Sequence, residues 1–183
     1  MFLIQTPRLR LREILPSDAK FAYTLNLDPD VIKYTGDEPF ASEDEAREFL
    51  SAYQDYQKFG YGRWLVESLA DGRPLGWCGL KNQLEEHGII DLGYRFFKDQ
   101  WGKGYAFEAA EACLKWGFEE RGMEEITARI AIGNERSERL AAKLGMRFTK
   151  EEECHALPAR WYSLTADQWI VHQGKDVSSR HQK

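Results

Sequence analysis

From Arg8 to Ile14 the chain reads RLRLREI, an alternation that places Leu9, Leu11 and Glu13 on one face of a strand and the arginines on the other, and predicts an edge strand. Pro16, Ser17 and Asp18 follow as a helix start, with Ser17 as the cap, Phe21 and Leu25 on the buried side, and Asp28 with Pro29 as the close. Ser42 and Glu45 have the spacing of a capping box. They open a second predicted helix through Phe49, Leu50, Tyr53 and Tyr56 that stops at Gly60. Residues 61–70 and 74–81 are strand-like runs joined by Asp71-Gly72, a dipeptide suited to a tight hairpin. A third strand, 89–97, completes a meander after the polar turn Glu85 to Gly88. Apolar residues then recur at three and four from Ala106 to Phe118, which predicts a helix over 104–120 ending at Gly122. A β-branched strand over 126–132, a helix over 134–144 capped by Gly145, and strands at 147–153 and 160–164 finish the pattern.

This order predicts an α/β fold of the mixed α+β kind: a central mixed, mostly antiparallel twisted sheet of about seven strands, with about four helices on both faces. With 183 residues and 43% hydrophobic composition, the chain has the material for one core and hence one domain, residues 1–169. Residues 170–183 carry no pattern and are expected to form a polar, disordered tail.

Charge and composition narrow the function. The apolar run at Met1 to Ile4 is too short for a signal peptide, and no stretch is long enough to span a bilayer. Cys78, Cys113 and Cys154 are odd in number and widely spaced, so a reducing cytoplasm is expected and no metal or redox pair. The four histidines lack ligand spacing, which argues against a metal site. A net charge of −5 argues weakly against nucleic acid and for a basic substrate.

The chemistry concentrates between Asp91 and Ala109, DLGYRFFKDQWGKGYAFEA, where a strand runs into a glycine-rich turn that opens a helix. Glycines at 102 and 104 let backbone approach an anion, and the unpaired amides of the first helical turn point at it; Lys103 adds charge. The same glycines also suit a sharp corner with no ligand. Neither GxxxxGK[ST] nor GxGxxG is present, since position 107 is phenylalanine, so the common nucleotide loops are excluded.

WGKGYA, Trp101 to Ala106, resembles the pyrophosphate loop of the GNAT acyltransferases, in which Arg or Gln and two further residues precede Gly, one residue and Gly or Ala. Gly104 and Ala106 match, and tryptophan at 101 is similar to the branch that holds the ribosomal-protein N-acetyltransferases. That branch also resembles this chain in TPRLRLR (Thr6 to Arg12), in Asn134, Ser137 and Leu144-Gly145, and in RWYSLT (Arg160 to Thr165), so the resemblance spans nearly the whole chain to Trp169.

The resemblance implies a cytoplasmic acetyl-CoA-dependent N-acetyltransferase that needs no metal. Its coenzyme A enters where two parallel strands, here 91–97 and 126–132, splay apart. Backbone at Phe96 and Phe97 would pair with pantetheine as an added strand does, amides of Trp101, Gly102, Lys103, Gly104, Tyr105 and Ala106 would hold the pyrophosphate, and Asn134 would hydrogen-bond pantetheine. A splay amide would polarise the thioester carbonyl. Asp91 is the implied base, with Glu153 and His155 as alternatives; a carboxylate that merely holds a neighbouring segment is the competing interpretation of Asp91. The tyrosine that many members use as thiolate acid falls at Ala141, and Ser137 is implied in its place, although Asn134 and Ser137 also suit a helix cap. Tyr34, Phe40 and Trp64 are expected acceptor-pocket walls, the acceptor amine itself being undetermined. A noncatalytic acyl-CoA sensor is the alternative function, and a homodimer is expected only from the frequency of twofold oligomers.

Overall fold

The computed structural model describes residues 2–174. Eight strands form one sheet in the order β1-β2-β3-β4-β5-β6-β8-β7: β1 (Phe2–Gln5), β2 (Leu9–Glu13), β3 (Arg63–Ser68), β4 (Pro74–Gln83), β5 (Ile89–Phe96), β6 (Glu125–Ala131), β7 (Arg147–Cys154) and β8 (Leu157–Thr165). All neighbours are antiparallel except β5 and β6. The longer helices are α1 (Ala19–Leu27), α2 (Glu43–Ala52), α3 (Tyr105–Lys115), α4 (Glu135–Lys143) and α5 (Ala166–His172).

Strand alternation sorts the core into two layers. Trp64 and Val66 of β3, Cys78 and Leu80 of β4, and Leu92 and Phe96 of β5 face α3, α4 and α5, where Ala109, Ala110, Cys113, Leu114, Leu144 and Trp169 meet them. Cys78 and Cys113 touch there, sulfur to sulfur at 3.7 Å, as free thiols. On the other face Leu65 packs with Phe21 and Leu25 of α1, which α2 covers in turn. Helices therefore lie on both faces, as expected.

Several details differ from the sequence expectation. β2 is not an edge strand, because the short β1 pairs outside it and raises the strand number to eight. Ser17 does not cap α1. A single turn of 3-10 helix, Pro16–Asp18, precedes it, and Asp18 accepts the Leu15 amide at 2.8 Å and the Arg12 guanidinium at 2.8 and 2.9 Å. Ser42 does cap α2, but Glu45 reaches back to the Ala41 amide rather than to that of Ser42. α2 ends at Ala52, and a separate turn, Asp55–Phe59, follows. The break turns Tyr53 and Tyr56 inward, where their hydroxyls accept the Arg63 and Ile14 amides at 2.8 and 3.0 Å and so tie the start of β3 to the end of β2. At the C-terminus α5 continues to His172, and residues 175–183 of the expected tail lie outside the described residues. No helix of the described residues is long and apolar enough to cross a membrane.

Burial alone would raise the Asp18 carboxyl, but the Arg12 guanidinium and the Leu15 amide outweigh it and hold it below the ordinary carboxylate range. A depressed folded-state pKa contributes stability above the unfolded value and loses it as pH falls through the folded one. Asp18→Asn is expected to cost about 1 kcal/mol at pH 7 after solvent screening, with the gap to wild type closing below about pH 4. Urea unfolding at pH 7 and pH 3 checks both values.

Candidate active site

The parallel pair β5 and β6 meets in register at one position, Asp91 with Thr127, and then separates. Each strand stays fully paired on its outer side, β5 to β4 and β6 to β8, so the gap cannot be closed by sliding either one. A cavity of about 100 Å³ fills the divergence, lined by Gly93 and Tyr94 of β5, residues 128–131 of β6, and Asn134, Ser137 and Ala141 around α4. The Phe97 amide is spent on the Leu75 carbonyl of β4 and its carbonyl on the Gln100 amide. Alternation therefore turns the backbone groups of Tyr94 and Phe96 toward the gap.

β5 leads through a 3-10 turn, Lys98–Gln100, to Gly102 and Gly104, both left-handed with φ of 76° and 82°. Any side chain is strained at such angles, and the glycines let the chain drop directly into α3. The first bond of that helix runs from the Glu108 amide to the Gly104 carbonyl, and no side chain caps it, so the amides of Tyr105, Ala106 and Phe107 are left over. A Cβ built on Gly102 meets nothing within 4 Å, so the turn is open at that residue, and one built on Gly104 meets only the Arg8 guanidinium at 3.3 Å. The cradle fits a diphosphate. Cations surround it: Arg8 donates to the Lys103 carbonyl at 3.0 Å and is fixed by Glu108 at 2.6 Å, while Arg136 lies 5.1 Å over the Trp101 ring.

Two further groups bracket the gap. Asp91, 6% exposed, is gripped by Arg63 at 2.6 Å through one oxygen and by Arg129 at 3.2 Å through the other. The Arg63 guanidinium covers Gly93 so closely that a Cβ there would come within 2.7 Å of it. On the opposite face the Tyr94 hydroxyl donates to Ser137 Oγ at 3.0 Å, across the cavity from β5 to α4. Burial pushes the Tyr94 phenol up to about 12, against the smaller opposing effect of that hydrogen bond, so it stays protonated at neutral pH.

The chain matches the Acetyltransferase (GNAT) domain family over residues 8–147. It belongs to the GNAT family. YkkB, an uncharacterised protein of Bacillus subtilis, is 37% identical over 79% of this chain and 85% of its own length. The uncharacterised N-acetyltransferase p20 of Bacillus licheniformis is 30% identical, covering 82% of this chain and 84% of its own. A solved GNAT acetyltransferase from Bacillus anthracis superposes with a TM-score of 0.78 at 28% identity, over 91% of this chain and 99% of that one. The chain is thus a GNAT N-acetyltransferase with the α+β fold of its family, and acetyl-CoA use and an amine acceptor follow from that membership.

Within the GNAT site the expected residues fall into groups. Gly102, Lys103 and Gly104 make the turn, Tyr105 and Ala106 begin the uncapped helix, and the Phe96 amide faces the open side of β5. Phe97 does not, because both its backbone groups are already bonded. Trp101 turns its indole N–H back to the Phe96 carbonyl at 3.0 Å, bracing the loop. Asn134 lines the cavity but its side-chain oxygen accepts the Ser137 amide at 3.4 Å, so it caps α4 as well. Glu153 and His155 are exposed on the β7–β8 hairpin, with the His155 backbone against Gly36. Of the expected acceptor walls, Phe40 lines a second cavity on the α1 face, Tyr34 lines the gap instead, and Trp64 is fully buried against Trp116 at 5.0 Å. Trp64 was misplaced because alternation along β3 sends it to the α3 layer. Tyr94, Arg63 and Arg129 were not singled out, although the Gly93-Tyr94 step places a hydroxyl on the helix-facing side of a site strand.

Both oxygens of Asp91 are held by guanidinium groups, so its removal leaves two nearly buried arginines face to face. Asp91→Ala is expected to cost about 3 kcal/mol or more in urea unfolding, whereas a freely titrating surface base would cost almost nothing.

Proposed function

We propose that this chain transfers the acetyl group of acetyl-CoA to a primary amine by direct attack in a ternary complex. One observation carries the proposal: a parallel pair held at a single register opens directly onto an uncapped helix with two left-handed glycines before it. The edge groups of Tyr94 and the amide of Phe96 pair with pantetheine as with an added strand, and the amides of Gly102 to Phe107, with Arg8, Lys103 and Arg136 around them, hold the diphosphate. When bound, the thioester supplies an activated acetyl carbon and a thiolate leaving group.

The residues around the gap divide the remaining work. Tyr94 donates to Ser137 and thereby turns the serine hydroxyl hydrogen toward the gap, where it meets the departing sulfur. This pair stands where the family tyrosine would reach from position 141, now a buried alanine. Arg63 and Arg129 share a single carboxylate and carry a net positive charge beside Gly93, which favours a neutral over a protonated amine. Asp91 organises that charge rather than accepting the proton, the second of the two roles its sequence position allows.

Calorimetric titration with acetyl-CoA is expected to give saturable micromolar binding, abolished in Gly104→Val and weakened in Gly102→Ala, where no protein atom obstructs the added methyl group. Ser137→Ala and Tyr94→Phe are expected to lower kcat by roughly tenfold to a hundredfold while leaving acetyl-CoA binding intact. No binding by folded wild-type protein overturns the proposal, and binding without turnover of any amine returns the chain to an acyl-CoA sensor.

A further inference from the structure

The second cavity, about 270 Å³, lies on the face of the sheet opposite α3, between α1, α2 and the segment that joins them. It approaches the acetyl site through Arg63, which lines it and rests on Gly93 of the gap. Its walls are apolar and largely aromatic: Phe21, Leu25, Phe40, Phe49, Tyr53 and Trp77. At its mouth Phe40 and Phe49 pack ring to ring at 5.5 Å, yet Phe49 stays 57% exposed. Water-exposed aromatic surface at the mouth of a cavity is stabilised by an apolar ligand that covers it.

The charges of the cavity are few and mostly spoken for. Arg63 and Arg95 flank Trp77 at 5.3 and 5.4 Å from its ring centre. Arg63 is committed to Asp91, and Arg95 to Asn26 and to Asp37 at 2.5 Å. Among the described residues that line the cavity, Glu38 is the carboxylate left without an ion pair. One open carboxylate matches one ammonium. A polycation would meet two guanidinium groups in place of further carboxylates, and an anionic substituent would find both arginines occupied.

Taking the acetyl-transfer assignment above as its basis, we infer that the acceptor is a small primary monoamine carried on an apolar, aryl-sized body, such as an arylalkylamine. Glu38 draws the ammonium to the mouth on entry; once the aromatic walls have taken the body with its nitrogen inward, the positive floor at Arg63 favours the amine in its neutral form. In the transfer the ammonium first loses a proton to water, the neutral nitrogen attacks the acetyl carbon, the amide bond forms as the carbon–sulfur bond breaks, the nitrogen releases its second proton to water, and the thiolate takes a proton through Ser137, which recovers one from water.

The test compares kcat/KM, followed by release of the coenzyme A thiol, for phenethylamine, phenylalanine, spermidine and a tetrapeptide beginning with alanine. Phenethylamine is expected to exceed each of the others by about tenfold or more. Phe40→Ala and Glu38→Gln alter an exposed segment outside the core and are each expected to raise the KM for phenethylamine severalfold, with acetyl-CoA binding unchanged in calorimetry. Equal or better turnover of spermidine, phenylalanine or the peptide overturns the inference and leaves acetyl transfer standing, as does acetyl-CoA binding with no turnover of phenethylamine. Failure of acetyl-CoA itself to bind overturns the underlying assignment as well.

Discussion

Parallel strands that share one register pair and then part company are costly, because each loses the ladder bonds it would make to the other along the gap. Here the loss is confined between β5 and β6 while their outer neighbours hold them fully paired. The open edge is therefore rigid without being satisfied. A ligand with amides spaced along an extended chain completes the ladder, and the family to which the chain belongs uses such a ligand. The remaining features of the site are arranged around that gap.

Each wall of the gap answers a separate need. At its far end, α3 begins without a side-chain cap, which leaves its first amides without an intrahelical partner. On the helix-facing side, the Tyr94 hydroxyl spans the cavity to Ser137, the pair to which the proposal gives the leaving group's proton. On the α1 side, Gly93 has no side chain because the Arg63 guanidinium occupies that space. Asp91 sits at the hinge between paired and open backbone, and its grip on Arg63 of β3 and Arg129 of β6 links strands across the divergence. The two ion pairs therefore brace the point where the strands part.

Periodicity made most of this fold legible in the sequence, since the meander, α3 and the β6-α4-β7-β8 succession follow from alternation, helical spacing and glycine stops. β1 escaped because four residues at a chain end carry too little pattern, and its absence made β2 look like an edge. α2 was drawn too long because Tyr53 and Tyr56 keep helical spacing while serving backbone amides of β2 and β3. The glycine turn and the helix start that follows it were legible because they are local in sequence. Arg63, Arg129 and Tyr94 were not, because their roles depend on partners 28 to 43 residues away. Arg8 shows the same limit: it stands in the TPRLRLR motif, but only the fold brings it to the loop after β5.

Hydrogen–deuterium exchange with and without coenzyme A tests the gap and the uncapped helix together, because it measures the backbone groups themselves. The account predicts strong protection on binding at Tyr94, Phe96 and the amides of residues 102–107, with little change at Phe97, whose amide is already bonded to Leu75. Protection that appears elsewhere while those amides exchange as before would contradict it.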